Sequence, residues 1–265
     1  MSEQRSPDGK TTYLEAGGGL PLVFLHGFPL SKAMWQPQLE ALAPSARVLA
    51  PDLPGFGGTQ RLAGTPSLEG MADRVAEWLD ALSIREPVVL AGLSLGGYVT
   101  LAFARRHAAR LRGLVLADTK ADPDDEAGKA GRGKLIALAK ESGPTAVIEQ
   151  MMPKLLGADT VARGTALPEE LRSIARAQSA AGVVDALQAM RCRPDAKPWL
   201  GAIAVPTLVV VGEQDRLTPP ERSMELSRAI RGAELVRIPG AGHMSNLEQP
   251  EVFNGALETF LRHVA

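Results

Sequence analysis

The chain has 265 residues, of which 45% are hydrophobic and 22% charged, and its formal net charge is −1 at pH 7. This length suits one α/β domain with a modest insertion, and the near-neutral charge gives no electrostatic basis for binding nucleic acid or an anionic membrane. No apolar run approaches the ~18 residues that a membrane-spanning helix needs, so no membrane partner is expected.

The first ten residues and the single cysteine bear on the compartment. Residues 1–10 lack the apolar core of a secretory signal. Cys192 has no second cysteine with which to form an internal disulfide, which fits a reducing environment. A cytoplasmic location is therefore expected.

Six short apolar runs are predicted to be buried strands, because each is bounded by polar or turn residues. They are residues 21–25, 47–50, 88–91, 113–117, 207–211 and 234–238. Between and after them, residues 71–82 and 253–261 carry apolar side chains at helical spacing. The alternation predicts the α/β fold class, with a doubly wound, mostly parallel central sheet. Ligands bind such sheets beyond the carboxyl ends of the strands.

The segment 120–197 breaks this alternation. It is rich in alanine, methionine and charged residues, it contains no Phe, Tyr or Trp, and residues 132–142, 145–156, 168–181 and 183–191 favour helix. A helical cap is therefore predicted at 120–197, inserted into a core domain formed by residues 1–119 and 198–265.

Flexible apolar side chains of this cap could line a substrate pocket, since thioethers adapt to irregular ligands. The alternative is that they only pack the cap onto the core domain. The residues considered for the pocket are Trp35, from the core domain, and Met151, Met152, Leu155, Leu156 and Met190, from the cap.

Ser94 lies in a nucleophile motif. Residues 92–96 read GLSLG and fit the pattern G-x-S-x-G, in which a reactive serine occupies a sharp turn from strand to helix. The motif alone is weak, because glycine and serine are common in this chain. Its setting strengthens it, since a predicted strand precedes it and a helix-favouring segment with a cationic last turn follows it.

A serine hydroxyl needs a base within hydrogen-bond reach, and the chain offers four histidines. His107 and His263 are predicted to lie in the last turns of helices, where a cation suits the helix dipole. His26 follows a strand directly and is predicted to shape its loop. His243 follows a glycine-rich loop after a strand, where a mobile imidazole can meet Ser94, and is predicted to be the base.

An acidic residue is needed to orient that imidazole. Asp215 ends a predicted central strand and precedes the histidine, so the order Ser94, Asp215, His243 fits the nucleophile-elbow arrangement. Glu213, two residues earlier, and Asp118, after the strand that precedes the cap, are the alternatives.

Acyl transfer also requires donors for a developing oxyanion. The backbone N–H of Leu95, directly after the nucleophile, is one candidate. Phe28, in the loop after the first predicted strand of the parallel set, is the other. Pro29 cannot serve because it has no N–H.

Five stretches together resemble the α/β-hydrolase superfamily along nearly the whole chain. They are HGFP at 26–29, DLPGFG at 52–57, GLSLGG at 92–97, GEQD at 212–215 and GH at 242–243. Within that superfamily the chain is most similar to small serine esterases and lactonases of the 3-oxoadipate enol-lactonase type.

The resemblance implies a catalytic triad of Ser94, Asp215 and His243, with Phe28 and Leu95 as the oxyanion hole. It also implies hydrolysis of a small carboxylic ester or lactone through an acyl-enzyme, without metal or organic cofactor.

Three other functions remain open at this point. A cofactor-free haloperoxidase or perhydrolase and a carbon–carbon bond hydrolase would use the same triad, and a ligand-binding protein on this scaffold would not turn substrate over. Haloalkane dehalogenases and epoxide hydrolases resemble the chain less, because they use an aspartate where Ser94 stands. The sequence does not predict the natural substrate, its chain length or chirality, or the oligomeric state.

Overall fold

The computed structural model describes residues 3–264 and contains an eight-stranded sheet in the order β1-β2-β4-β3-β5-β6-β7-β8. Its strands are β1 (Glu3–Arg5), β2 (Thr12–Ala16), β3 (Pro21–Leu25), β4 (Arg47–Pro51), β5 (Val88–Leu93), β6 (Leu111–Ala117), β7 (Thr207–Gly212) and β8 (Glu234–Ile238). The pairs β1–β2 and β2–β4 are antiparallel, and the pairs from β4 through β8 are parallel.

Helices cover both faces of the sheet, which is why the central strands are apolar without alternation. In β3, Val23 and Leu25 join one buried cluster, whereas Leu22 and Phe24 join the other. The helices are α1 (Gln36–Leu42), α2 (Leu68–Ala81), α3 (Leu95–Arg106), α4 (Glu126–Leu155), α5 (Ala158–Ala162), α6 (Leu167–Arg176), α7 (Ala180–Arg191), α8 (Lys197–Leu200), α9 (Pro220–Ala229), α10 (Ser245–Glu248) and α11 (Pro250–Val264).

Four of these helices, α4 to α7, lie between β6 and α8 in the segment predicted as a cap. The side chain of Asp125 caps α4 by accepting a hydrogen bond from the N–H of Gly128. Gly143 interrupts α4 with φ of 76°, a left-handed conformation that glycine adopts without steric cost, and Pro144 follows it. α4 therefore bends at this point.

The predicted fold class is confirmed: the sheet is mostly parallel, and all six predicted strands are present. β1 and β2 were not predicted. They pair antiparallel at one edge, where the exposed β1 and the part-buried end of β2 lack the continuous apolar pattern of a central strand. Within residues 3–264, no helix has the length and apolar character required to cross a membrane.

Candidate active site

Ser94 occupies the turn between β5 and α3 with φ of 55° and ψ of −110°, a conformation rarely adopted by residues with a side chain. Its N–H donates to the carbonyl of Ala117 at 3.0 Å, and its own carbonyl accepts from Thr119 Oγ1 at 3.0 Å. These bonds hold the strained residue at the carboxyl ends of β5 and β6. Its side chain is only partly buried and is therefore reachable by a ligand.

The structure brings His243 and Asp215 together. His243 Nδ1 lies 2.8 Å from Asp215 Oδ2, with both side chains almost completely buried. Asp215 Oδ1 accepts the N–H groups of Leu217 and Thr218 at 2.8 and 3.0 Å, and Thr218 Oγ1 donates to Asp215 Oδ2 at 2.6 Å. The carboxylate is thus fixed in one orientation. It can hold the proton of His243 on Nδ1, which leaves Nε2 free to accept another.

The charges of this pair shift both pKa values. Burial lowers the pKa of His243, but the charge and hydrogen bond of Asp215 raise it more, so that pKa lies above its ordinary value of 6.5. Burial raises the pKa of Asp215, but His243 and the donors of Thr218 lower it more, so the carboxyl stays ionised at neutral pH. The pair is therefore built to stabilise an imidazolium.

Asp118, one of the alternative acids, is hydrogen-bonded to Gly212 and Ser245 rather than to the imidazole of His243. It is fully buried, with Oδ1 accepting the N–H of Gly212 at 2.9 Å and Oδ2 accepting the hydroxyl of Ser245. Burial and the nearby charge of Asp215 hold the pKa of Asp118 well above its usual range. Asp118 ties the ends of β6 and β7 to the residues that follow His243. Glu213, the other alternative, forms an ion pair with Arg237 at 3.3 Å.

Glu248 and the end of α4 hold the loop that carries His243. The backbone N–H of His243 donates to the carbonyl of Leu155 at 2.9 Å. Glu248 accepts the N–H of Gly242 on one oxygen and the N–H of Gly157 on the other, each at 2.8 Å. The segment between β6 and β7 therefore positions the histidine through backbone bonds, a role that no sequence pattern indicated.

Both predicted oxyanion donors lie at the site. Leu95 is the first residue of α3, so its N–H has no acceptor one turn earlier within the helix. Among the described residues the N–H of Phe28 donates to no other backbone group, and Phe28 lines the same cavity as Ser94. The two N–H groups are therefore available for a ligand oxygen.

A cavity of about 120 Å³ joins these groups. It is lined by Phe28, Ser94, Tyr98, Lys120, Asp124, Arg132, Met151, Met190, Leu217, Thr218 and His243. Met151 therefore lies where it was predicted, and Met190 also reaches the cavity. Tyr98 follows Ser94 by one turn of α3.

The pocket prediction was wrong at four residues. Trp35 is fully buried in the hydrophobic cluster that contains Leu22 and Phe24. Its ring stacks on that of Phe24 with ring centroids 4.5 Å apart. Leu155 and Leu156 are also buried, and Met152 packs against the same buried cluster. Among residues 151–156 only Met151 reaches the cavity, because the other apolar side chains pack into the hydrophobic core instead.

The polar wall of the cavity was not predicted. Lys120, Asp124 and Arg132 line it together with the candidate catalytic side chains. They belong to the loop after β6 and the first turns of α4, where charged residues normally face solvent. Only a three-dimensional arrangement distinguishes them from the exposed charges of the same segment.

His26 occupies a structural position. Its Nε2 accepts the N–H of Leu53 at 2.9 Å, which leaves the proton on Nδ1, 3.1 Å from the carbonyl of Gly27. Burial lowers the pKa of His26, which therefore stays neutral at physiological pH. Within residues 3–264 no group of three or more His, Cys, Asp or Glu side chains is arranged to ligate a metal ion.

The chain matches known proteins over nearly its full length. The model of the alpha/beta hydrolase fold family matches residues 21–250. A thermophilic esterase from Thermogutta terrifontis, solved with malate bound, is 37% identical, has a TM-score of 0.94, and is matched over 100% of this chain and 99% of its own. The enol-lactonase of Burkholderia xenovorans is 27% identical with a TM-score of 0.86, over 98% and 100% of the two chains.

Among curated relatives, a pimeloyl-acyl-carrier-protein methyl ester esterase of Neisseria meningitidis is 31% identical over 91% of this chain and 93% of its own. The family model and the mostly parallel sheet agree with one another. The chain belongs to the α/β-hydrolase family.

Proposed function

We propose that this hydrolase-family protein cleaves a carboxylic ester or lactone through a covalent acyl-serine intermediate. The observation that supports the proposal best is the buried 2.8 Å hydrogen bond between Asp215 and His243, in a cavity that also holds Ser94 on a strained turn. The names of the esterase and enol-lactonase relatives agree with this chemistry.

In the first step, Ser94 Oγ attacks the carbonyl carbon while Nε2 of His243 takes the hydroxyl proton. The N–H groups of Phe28 and Leu95 stabilise the oxyanion of the tetrahedral intermediate. The carbon–oxygen bond to the alcohol then breaks, and His243 returns the proton to the leaving oxygen. Asp215 stays ionised and keeps the imidazole in the required tautomer throughout.

In the second step, His243 removes a proton from water, which attacks the acyl-serine carbonyl. The bond to Ser94 Oγ breaks, the serine regains its proton, and the carboxylic acid leaves. A lactone follows the same steps, except that the alcohol stays covalently attached to the acyl chain, so deacylation releases a single hydroxy acid.

The test is steady-state hydrolysis of p-nitrophenyl esters from acetyl to dodecanoyl and of a set of lactones, with Ser94→Ala as the matched control. We expect a clear substrate optimum and a fall in kcat of about 10⁴- to 10⁶-fold in the variant. If none of the esters or lactones shows serine-dependent turnover, the ester and lactone proposal is wrong. Perhydrolysis with hydrogen peroxide and cleavage of ring-fission diketones would then be assayed.

A further inference from the structure

Lys120 is a half-buried cation at the cavity that holds Ser94. It follows Thr119, whose hydroxyl contacts the backbone of Ser94, and it lines the cavity beside that serine. Among residues 3–264 its ammonium makes neither a salt bridge nor a side-chain hydrogen bond. Burial lowers the pKa of Lys120, and the positive charge of Arg193 lowers it further. The charged form of Lys120 would thus gain from an added anion.

The carboxylates near Lys120 are already paired with other cations. Asp124 accepts from Arg132 at 3.0 Å and from Arg193 at 2.9 Å. Arg193 is held in place by Asp124 and by the face of the Tyr98 ring, 4.3 Å from its guanidinium carbon. Tyr98 itself lines the cavity.

Asp122, the second carboxylate near Lys120, is also occupied. It lies 2.8 Å from Lys197 and 3.7 Å from Arg222. Each of the two carboxylates is therefore shared by two cations, and Lys120 adds a further positive charge. The wall residues Lys120, Asp124 and Arg132, together with Arg193 behind Asp124, carry three positive charges and one negative charge, although the net charge of the whole chain is −1. Asp215 is already paired with His243.

We propose that Lys120 and Arg132 form a subsite for a carboxylate, and that the favoured substrate is an ester or lactone with a second, ionised carboxyl group. A carboxylate accepts charge-assisted hydrogen bonds from both an ammonium and a guanidinium. Because Lys120, Arg132 and Ser94 line one cavity of about 120 Å³, a single small substrate can contact all three. The inference rests on the proposed function for the reacting bond.

The subsite is tested with pairs of substrates that differ in one charge. One pair places the charge on the acyl side, monomethyl glutarate against methyl valerate. The other places it on the alcohol side, butyryloxyacetate against ethyl butyrate. The ratio of kcat/KM, charged to neutral, is measured by titrating released acid at pH 8 for the wild-type protein, Lys120→Met, Arg132→Met and Lys140→Met. Lys140 is an exposed lysine of α4, and its variant is the matched control.

The wild-type protein should favour the charged member of at least one pair by about ten- to hundred-fold, the range that one charge-assisted hydrogen bond supports. That ratio should fall at least ten-fold in Lys120→Met and in Arg132→Met and stay at the wild-type value in Lys140→Met. The subsite would be overturned if the wild-type protein showed no preference for the charged substrates. It would also be overturned if both subsite variants kept the wild-type ratio of kcat/KM.

Calorimetric binding of glutarate provides a second readout that needs no turnover, and thermal melting checks that each variant is folded. Glutarate affinity should be weaker in Lys120→Met, or in Lys120→Gln if the methionine variant does not fold. Serine-dependent hydrolysis of neutral esters without any charge preference leaves the proposed function intact and removes the subsite. Glutarate binding that depends on Lys120, without hydrolysis of any ester, keeps the subsite and removes the proposed function.

Discussion

The environment of His243 sets the pH range in which the proposed base can work. The imidazole accepts a proton from Ser94 only when it is neutral, so activity should be lost as the pH falls through the pKa of His243. Asp215 raises that pKa above 6.5, and the more distant carboxylates of Asp118 and Glu248 raise it further. The acidic limb of the activity profile should therefore lie above pH 6.5 in the wild-type protein.

Asp215→Asn should have two separable effects. We expect kcat to fall by about 10⁴-fold, because the amide can bind the imidazole in the wrong tautomer. We also expect the acidic limb of kcat/KM to move to lower pH, because the charge that raises the pKa of His243 is gone. The measurement is the pH profile of kcat/KM from pH 5 to 9. Asp118→Asn is the comparison, and activity that survives Asp215→Asn but is lost in Asp118→Asn would make Asp118 the acid.

The sequence predicted the triad candidates because each has a local signature. Ser94 lies in a glycine motif, and Asp215 and His243 each follow a predicted strand. Lys120 and Arg132 have no such signature, since charged residues in loops and helices normally face solvent. Thr218 came closest to being predictable, because a side-chain oxygen of aspartate often binds N–H groups two and three residues later.

At the scale of elements, the turn from β5 to α3 depends on close backbone approach. A methyl group on Gly96 would overlap the backbone carbonyl of Leu25 on β3, and one on Gly92 would overlap the carbonyl of Gly96. Glycine at these two positions thus lets α3 pack directly against the sheet. The motif that predicted the nucleophile also specifies the packing that holds it.

Gly96→Ala and Gly131→Ala should change stability in opposite directions, although both lie in helices. Gly96→Ala should lower the free energy of unfolding by about 2 kcal/mol or more through overpacking. Gly131 lies in α4 with open space around it, so Gly131→Ala should raise the free energy by about 0.5–1 kcal/mol through helix propensity. Urea denaturation measures both values. Equal effects of the two substitutions would contradict the close approach at Gly96.

Helix boundaries were harder to predict than helices. The spacing predicted a first helix of the cap at 132–142 and a second at 145–156, whereas α4 begins at Glu126 and continues to Leu155 with a bend at Gly143. The first turns of α4 lack an apolar stripe. Their inward-facing side chain is that of Arg132, which donates to Asp124. Polar burial of this kind leaves no hydrophobic period to detect.

At the scale of the whole molecule, the predicted cap shares its hydrophobic core with the rest of the chain. Val147 and Leu187, from α4 and α7, belong to the same buried cluster as Phe103 of α3. Arg61 also forms a bidentate ion pair with Asp185 of α7, with hydrogen bonds of 2.6 and 2.9 Å. Because Arg61 is more than half exposed, solvent screens that pair, so the buried cluster dominates the coupling.

We therefore expect residues 120–197 to unfold together with the rest of the chain. Two probes can tell whether this segment unfolds together with the rest of the chain or before it. The segment contains no tryptophan, whereas Trp35 and Trp78 are buried against the sheet. Far-UV circular dichroism reports the helices, including the 30-residue α4, and tryptophan fluorescence reports the sheet and its flanking helices. The two urea transitions should have the same midpoint and the same slope. Helix signal lost at lower urea than tryptophan fluorescence would instead show that α4 to α7 detach first, and that the shared cluster does not couple the two parts of the fold.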